Sequence, residues 1–467
     1  MNISFTSYGA AREVTGSKHM VTISGKNILV DCGLFQGKRK EADEKNRNLA
    51  FDPASVDCAI LTHGHLDHCG IYPVLVKNGF RGQIFCTPST AEIATIVMND
   101  SARIQTSDIQ YLKKKAAQKG LPPPDIQPLY TEANIPDVTA RFHTVDYRKR
   151  AEILPGIYCT FHDAGHILGS AGIVLESGGV RFGLSGDLGR SAMPILRDPE
   201  FPGDIDYFVC ESTYGNRLHD EMSTAEDEVA AAVMETYRRG GKVIIPAFSI
   251  GRTQEIIYLF HRLMDDKRLP HDLAIYVDSP MSVNITEVFK RHEECYDDDI
   301  RRRFVEHREN PFGFSQLKYI ASVEESKSLN SLKRPAVIIS ASGMCESGRV
   351  LHHLANNIGD PASLILVVGF MAEHTLGRRL AEKQRVVRIF GEEYDVLARL
   401  KNLNAFSAHA DYHETLKHME RFDKTRLKNV FLVHGEDDAL SKLRDRMSTA
   451  GYTNVTIAEP GTTYTLS

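Results

Sequence analysis

Three observations predict a layered α/β fold. Residues 1 to about 210 alternate short apolar strands with Gly-rich turns, with helices at intervals. Between there and about 395, helical periodicity alternates with unbroken apolar strands, which indicates a parallel sheet covered on both faces. Past about 395, separate strands return.

The elements follow in order. The runs 21–23 and 27–31 read as early strands, and Ala59-Ile60-Leu61 as a buried one. A helical stretch at about 69–78 leads to a strand at 83–86, and further helices are expected over 89–119. Gly120-Leu121-Pro122-Pro123-Pro124-Asp125 breaks periodicity and reads as an exposed connection. Strands resume at 157–161, 172–175 and 180–184, the last two joined by the turn Ser177-Gly178-Gly179. A helix at 224–238, apolar at Val229, Val233 and Tyr237, opens the alternating region. It leads through Gly240-Gly241 to the strand Val243-Ile244-Ile245. Helices at 251–264, 283–293 and 347–356 then alternate with strands at 273–277, 336–339 and 363–368. The last elements expected are strands at 396–400 and 430–433, a helix at 438–449 and a strand at 455–457.

With 467 residues, 42% hydrophobic and 25% charged, the chain suits a soluble protein of two or three domains. No stretch has the pattern of a signal peptide or approaches the ~20 apolar residues of a membrane span. The eight cysteines are scattered and several lie in apolar runs, so reduced thiols in a cytoplasmic protein are expected. Cys69 follows a histidine cluster and is expected to pack beneath it. A net charge of −5 gives no basic domain to mark nucleic-acid binding. Bound divalent ions would add positive charge that this count ignores. The runs Lys113-Lys114-Lys115 and Arg301-Arg302-Arg303 read as solvated helix faces.

His63-Gly64-His65-Leu66-Asp67-His68 places three imidazoles and a carboxylate just after a buried strand. These groups are ligands of Zn²⁺ and its neighbours, and their density suits two ions better than one. Asp31, His166, Asp187, Glu211 and His434 also follow apolar strands. Polar groups at strand ends converge on one edge of a layered α/β fold, where ligands usually bind. Three further loops, around Ser249, Ser342-Gly343 and Thr375, each follow a strand and precede an expected helix. Small residues there let backbone N–H groups approach phosphates, with Arg252 and Arg378 adjacent.

Together these strings resemble the metallo-β-lactamase superfamily, and more narrowly its β-CASP ribonucleases. The narrower likeness rests on Glu211-Ser212-Thr213-Tyr214-Gly215, Phe406-Ser407-Ala408-His409-Ala410-Asp411 and Leu432-Val433-His434-Gly435-Glu436. The strings 246–253, Asp278-Ser279-Pro280-Met281 and Ser342-Gly343-Met344 also fit. One departure is His374 in His374-Thr375-Leu376-Gly377-Arg378, where the family usually has a small residue.

The resemblance implies an αββα hydrolase domain from 1–210 and 396–467, with a β-CASP domain inserted at 211–395. His63, His65 and His166 would hold one zinc ion, Asp67, His68 and His434 the other, with Asp187 bridging. Mn²⁺ or Fe²⁺ would suit the same ligands. Asp31 would orient ligands by hydrogen bonds, and His409 would act as general acid beside Glu211. With Asp67 and Asp31, this pair makes up the expected catalytic set. The implied activity is endonucleolytic hydrolysis of phosphodiesters in single-stranded RNA, the strand lying in a cleft between the domains, with a homodimer among the implied assemblies. Four rivals stand against it. A small-substrate hydrolase needs no inserted domain, and DNA-cutting relatives tend to lack a His where His434 stands. A silent RNA-binding scaffold would have lost ligands that are all retained here. Oxygen-reducing di-iron proteins of the same fold place Glu where this chain has His65.

Overall fold

Strand Tyr207–Glu211 is buried along its whole length in the protein, whose structure is a computed structural model. Tyr207 and Val209 enter one apolar cluster while Phe208 and Cys210 enter another, as the two-residue pleat requires. The first cluster joins the inner faces of two seven-stranded sheets. Phe5 from one sheet meets Phe182 and Phe431 from the other, at ring-centroid distances of 6.1 and 4.9 Å. Burying each such ring contributes about 1.5–3 kcal/mol. Met419, Leu440, Leu443 and Met447 pack on the outer face of the second sheet. The structure describes residues 3–467 except 38, 221, 307, 308, 370, 372, 373 and 404.

The sheets are mixed. In the first, the order is Thr463–Leu466, Ile3–Gly9, Lys18–Ile23, Lys26–Val30, Cys58–Ile60, Ile84–Cys86 and Phe142–Thr144. The second runs Val455–Ile457, Asn429–Val433, Tyr207–Glu211, Val180–Leu184, Ala171–Ser177, Ile157–Asp163 and Arg150–Leu154. Lys26–Val30 is parallel to Cys58–Ile60, and Tyr207–Glu211 is parallel to both Val180–Leu184 and Asn429–Val433. The polar groups that follow these strands therefore leave at matching ends.

Both sheets lie in one compact unit, made of the chain up to Ser191, Asp198–Leu218 and His409–Ser467. A second unit comprises Ala192–Arg197 and His219–Ala408. Its sheet has six strands, ordered Leu317–Tyr319, Ala274–Asp278, Ala336–Ser340, Lys242–Pro246, Leu364–Val368 and Arg399–Leu403. Every pairing in it is parallel. The four interior strands are buried throughout, which explains their unbroken apolar runs.

Several boundaries differ from expectation. The single helix at 69–78 is two, Leu66–Cys69 and Tyr72–Lys77, because Pro73 lacks the N–H that would carry the first into the second. The helices over 89–119 are one, Pro88–Gln118, capped by the Thr87 hydroxyl and uninterrupted by Gly or Pro after its first residue. The strand expected at 396–400 lies at Arg399–Leu403, since Leu397 and Ala398 both donate their N–H groups to the Ile358 carbonyl. That strand pairs with Leu364–Val368, so 396–408 belong with the parallel sheet rather than with the rest of 396–467.

Candidate active site

Asp31 leaves its strand at φ 62°, a left-handed conformation that Asp tolerates better than most residues. Its Oδ1 accepts the Thr62 N–H at 2.8 Å. Its Oδ2 accepts the Thr62 hydroxyl at 2.8 Å and lies 2.8 Å from His68 Nδ1. Because the Thr62 hydroxyl donates to Asp31, it accepts from His63 Nδ1, 3.1 Å away, which leaves the Nε2 lone pair of His63 facing the cluster. Thr213 repeats the device. Its hydroxyl donates to the His434 carbonyl at 3.2 Å and lies 2.9 Å from His434 Nδ1, so Nε2 is the bare nitrogen.

Two groups of ligand atoms result. His63 Nε2 and His166 Nε2 lie 3.1 and 3.2 Å from His65 Nδ1, and each lies 3.5 Å from Asp187 Oδ2. Asp67 Oδ2 lies 3.9 Å from His68 Nε2 and 3.5 Å from His434 Nε2. The other Asp187 oxygen, Oδ1, lies 3.3 Å from His68 Nε2. One carboxylate therefore faces each group with a different oxygen. Four nitrogen ligands at ~2.05 Å around a tetrahedral cation stand about 3.3 Å apart, so the first group has the spacing of a zinc-type site. Asp187 Oδ1 and His434 Nε2 are buried and make no hydrogen bond among the described residues. Such orphaned atoms are costly unless a cation meets them, so the donor set fits metal ions.

Protonation agrees. Burial, with His68 next, holds His63 well below the usual imidazole range. Burial takes His65 down to about 4. Burial favours the neutral form of Asp187, but His434, His68 and His63 hold its carboxyl well below the usual range. Asp67 is lowered too, by His434 and His68 against its burial. His68, flanked by Asp187 and Asp31, is raised, so a cation at its Nε2 would displace a proton.

His409 stands on the loop that rejoins the first unit, where Ala410 donates its N–H to the Leu188 carbonyl at 2.7 Å. Its Nδ1 lies 2.9 Å from Glu211 Oε1 and 3.9 Å from Asp187 Oδ2. Glu211 is buried, its Oε1 accepting the Leu188 N–H at 3.0 Å and its Oε2 the Thr213 N–H at 2.9 Å. Burial opposes the charged imidazole of His409, yet Glu211 and Asp187 raise it to about 9.

Models of three families match in sequence order. The metallo-beta-lactamase superfamily covers residues 16–220, the Beta-Casp domain 253–380, and the Zn-dependent metallo-hydrolase RNA specificity domain 393–458. Ribonuclease TTHA0252 of Thermus thermophilus is 33% identical over 95% of this chain and 96% of its own length. This chain belongs to the β-CASP family of metallo-hydrolases.

Other relatives bracket it. The RNase J-like protein of Methanocaldococcus jannaschii is 30% identical over 92% of this chain and 91% of its own. Endoribonuclease YSH1 of Yarrowia lipolytica is 29% identical over 94% of this chain, which spans only 51% of that protein. A solved protein of unknown function from Enterococcus faecalis V583 shares the fold at TM-score 0.56, with 10% identity and all of both chains covered.

The expected phosphate loops of this β-CASP chain all lie in the second unit. Arg252 is buried and pairs with Glu255 on its own helix, and the Arg378 guanidinium lies 2.6 Å from Glu382. The Arg252 and Thr253 N–H groups at that helix start go to the Ile250 and Phe248 carbonyls. Ser249 is buried, its hydroxyl 3.2 Å from that of Ser279. The Ser342 hydroxyl accepts the Glu346 and Ser347 N–H groups, and the next helix starts only at Val350. Thr375 caps Leu376–Ala381 by accepting the Arg378 N–H, and the Leu376 N–H goes to the Glu346 carboxylate. The leading amides are thus engaged within the protein. His374 has φ 67°, which explains why a small residue is usual there. Cys69, fully buried, lies under the loop with Sγ 3.5 Å from the Gly64 carbonyl.

Three contributors escaped the sequence reading. Thr62 and Thr213 set histidine tautomers, but a lone hydroxyl beside a ligand carries no pattern. Lys18 is buried with its ammonium 3.1 and 2.6 Å from the Gly16 and Gly33 carbonyls, tying down the loop after Asp31. A lysine opening a strand ordinarily reads as exposed.

Proposed function

We propose that this chain is a ribonuclease that hydrolyses single-stranded RNA endonucleolytically, with two zinc ions per chain. His63, His65 and His166 would hold one ion and Asp67, His68 and His434 the other, with Asp187 serving both, a division supported by its two oxygens facing different groups. When bound, such ions would make water a nucleophile near neutral pH and offset the charge of a phosphodiester. Asp31 fixes the His68 ring and, through Thr62, that of His63. His409 gives its Nε2 proton to the leaving oxygen, while Glu211, held by two backbone amides, keeps the ring oriented and favours its charged form.

The observation that carries this reading is the 2.9 Å His409–Glu211 pair beside Asp187. It supplies a positioned proton donor that hydrolysis of a small activated substrate does not require. Relatives named ribonuclease and endoribonuclease support RNA as the substrate. Hydrolysis in the cytoplasm fits the reduced, scattered cysteines, and no described helix is long and apolar enough to cross a membrane. The test is cleavage of end-labelled single-stranded RNA and matched DNA by the wild type and by Asp187→Ala. Internal cuts in RNA that vanish with Asp187→Ala are expected; cleavage of DNA alone, or of neither, would overturn the assignment.

A further inference from the structure

We infer that Phe248 is a stacking platform for one base of the substrate strand, an inference that rests on the ribonuclease reading. The ring is 38% exposed, while the chain on either side is buried, Ala247 at 0% and Ser249 at 4%. Other phenylalanines of the second unit, such as Phe260, Phe289, Phe304 and Phe312, are fully inside. Phe390 of the same unit is exposed too, at 57%, but on a hairpin turn.

The backbone beneath the ring is fixed. The Ala247 N–H donates to the Ser340 carbonyl at 3.0 Å, and the Phe248 carbonyl accepts both the N–H and the hydroxyl of Thr253, at 3.1 and 2.7 Å. One face of the ring rests on Gly343. A Cβ at Gly343 would lie 2.7 Å from Cδ2 and 2.9 Å from both Cγ and Cε2. An approach in the ring plane would leave the two flanking carbons nearly an ångström farther than Cδ2, so the contact is with the face. Gly343 covers that face, so the exposed area lies elsewhere on the ring.

Phe248 also follows the C-terminal end of Lys242–Pro246, a central strand of the parallel sheet, at the edge where open α/β sheets bind ligands. A rigid aromatic face with a preset orientation suits a nucleobase, because every base offers a π-face and little ordering is left to be done on binding. A protein partner would be served by a contiguous apolar patch, whereas neighbouring Ile250 is buried. The platform would therefore tolerate any base, setting affinity and register rather than sequence.

The test compares kcat and KM of full-length wild type, Phe248→Ala, Phe248→Leu and Phe248→Tyr. Substrates are a mixed-sequence RNA and a series in which one abasic nucleotide is moved along the strand. Phe248→Ala and Phe248→Leu should raise KM by about 5- to 100-fold with kcat within about twofold, and Phe248→Tyr should match the wild type. In the wild type one abasic position should raise KM by the same factor, and in Phe248→Ala that position should have no effect. If Phe248→Leu behaves as wild type, or if Phe248→Ala keeps the abasic penalty, the ring only packs the loop and the inference is overturned. A wild type that neither binds nor cuts the intact RNA would overturn the ribonuclease reading with it.

Discussion

His409 and His434 are both histidines beside Asp187, yet they meet different partners, and substitution should separate their work. His434 Nε2 is an orphaned buried nitrogen, whereas His409 Nδ1 is bound to Glu211. His409→Ala should retain metal and cut RNA turnover by roughly 10²–10⁴-fold, the usual worth of a general acid. His434→Ala should lose metal along with activity. Elemental analysis beside turnover decides it, and loss of metal from His409→Ala would refute the acid role. The contiguous His63–His68 string was legible in the sequence because ligand types at that density have few other uses. The pairing of Arg252 with Glu255, three residues on along one helix, was not legible there, because the string does not show which partner a basic residue at a helix start takes.

Elements hold these residues through close backbone approach. At Gly33 an added Cβ would fall 1.5 Å from the Asp67 carbonyl oxygen, where no flexible side chain can yield. Gly33→Ala should therefore displace the loop carrying Asp67 and His68, giving a lower melting temperature and reduced metal content. Gly25→Ala is the control: nothing lies within 4 Å, and its φ of 75° alone costs about 1–2 kcal/mol. Equal metal loss in both variants would contradict the account. Apolar periodicity made the buried strands legible, since Lys242–Pro246 and its neighbours are covered on both faces. The hairpin Val386–Ile389 with Glu392–Asp395 was missed because Arg388 interrupts the apolar residues of one strand and Glu392, Glu393 and Asp395 make the other mostly acidic.

At the scale of the whole molecule, the return to the first unit comes after Ala408, thirteen residues later than the boundary that the resemblance implied. Arg399-Leu400-Lys401-Asn402-Leu403 reads as a half-buried strand, and nothing in it says which sheet it joins. Chain order alone cannot decide that, because both units recruit strands distant in sequence. Truncation after Ala408 removes His434 together with Asn429–Val433, which pairs with Tyr207–Glu211 inside the second sheet. The product should be insoluble or metal-poor, because the new strand edge and the apolar face of Phe208 and Cys210 are uncovered. A soluble fragment with full metal content would contradict the unit boundaries.

In the proposed reaction one carboxylate, Asp187, organises two ions that act together on RNA. Its most direct test is a zinc titration of chelator-stripped protein, with RNA cleavage followed at each step. Activity should vanish on stripping and rise to its maximum at two equivalents per chain. Full activity at one equivalent, or cleavage that survives stripping, would contradict it.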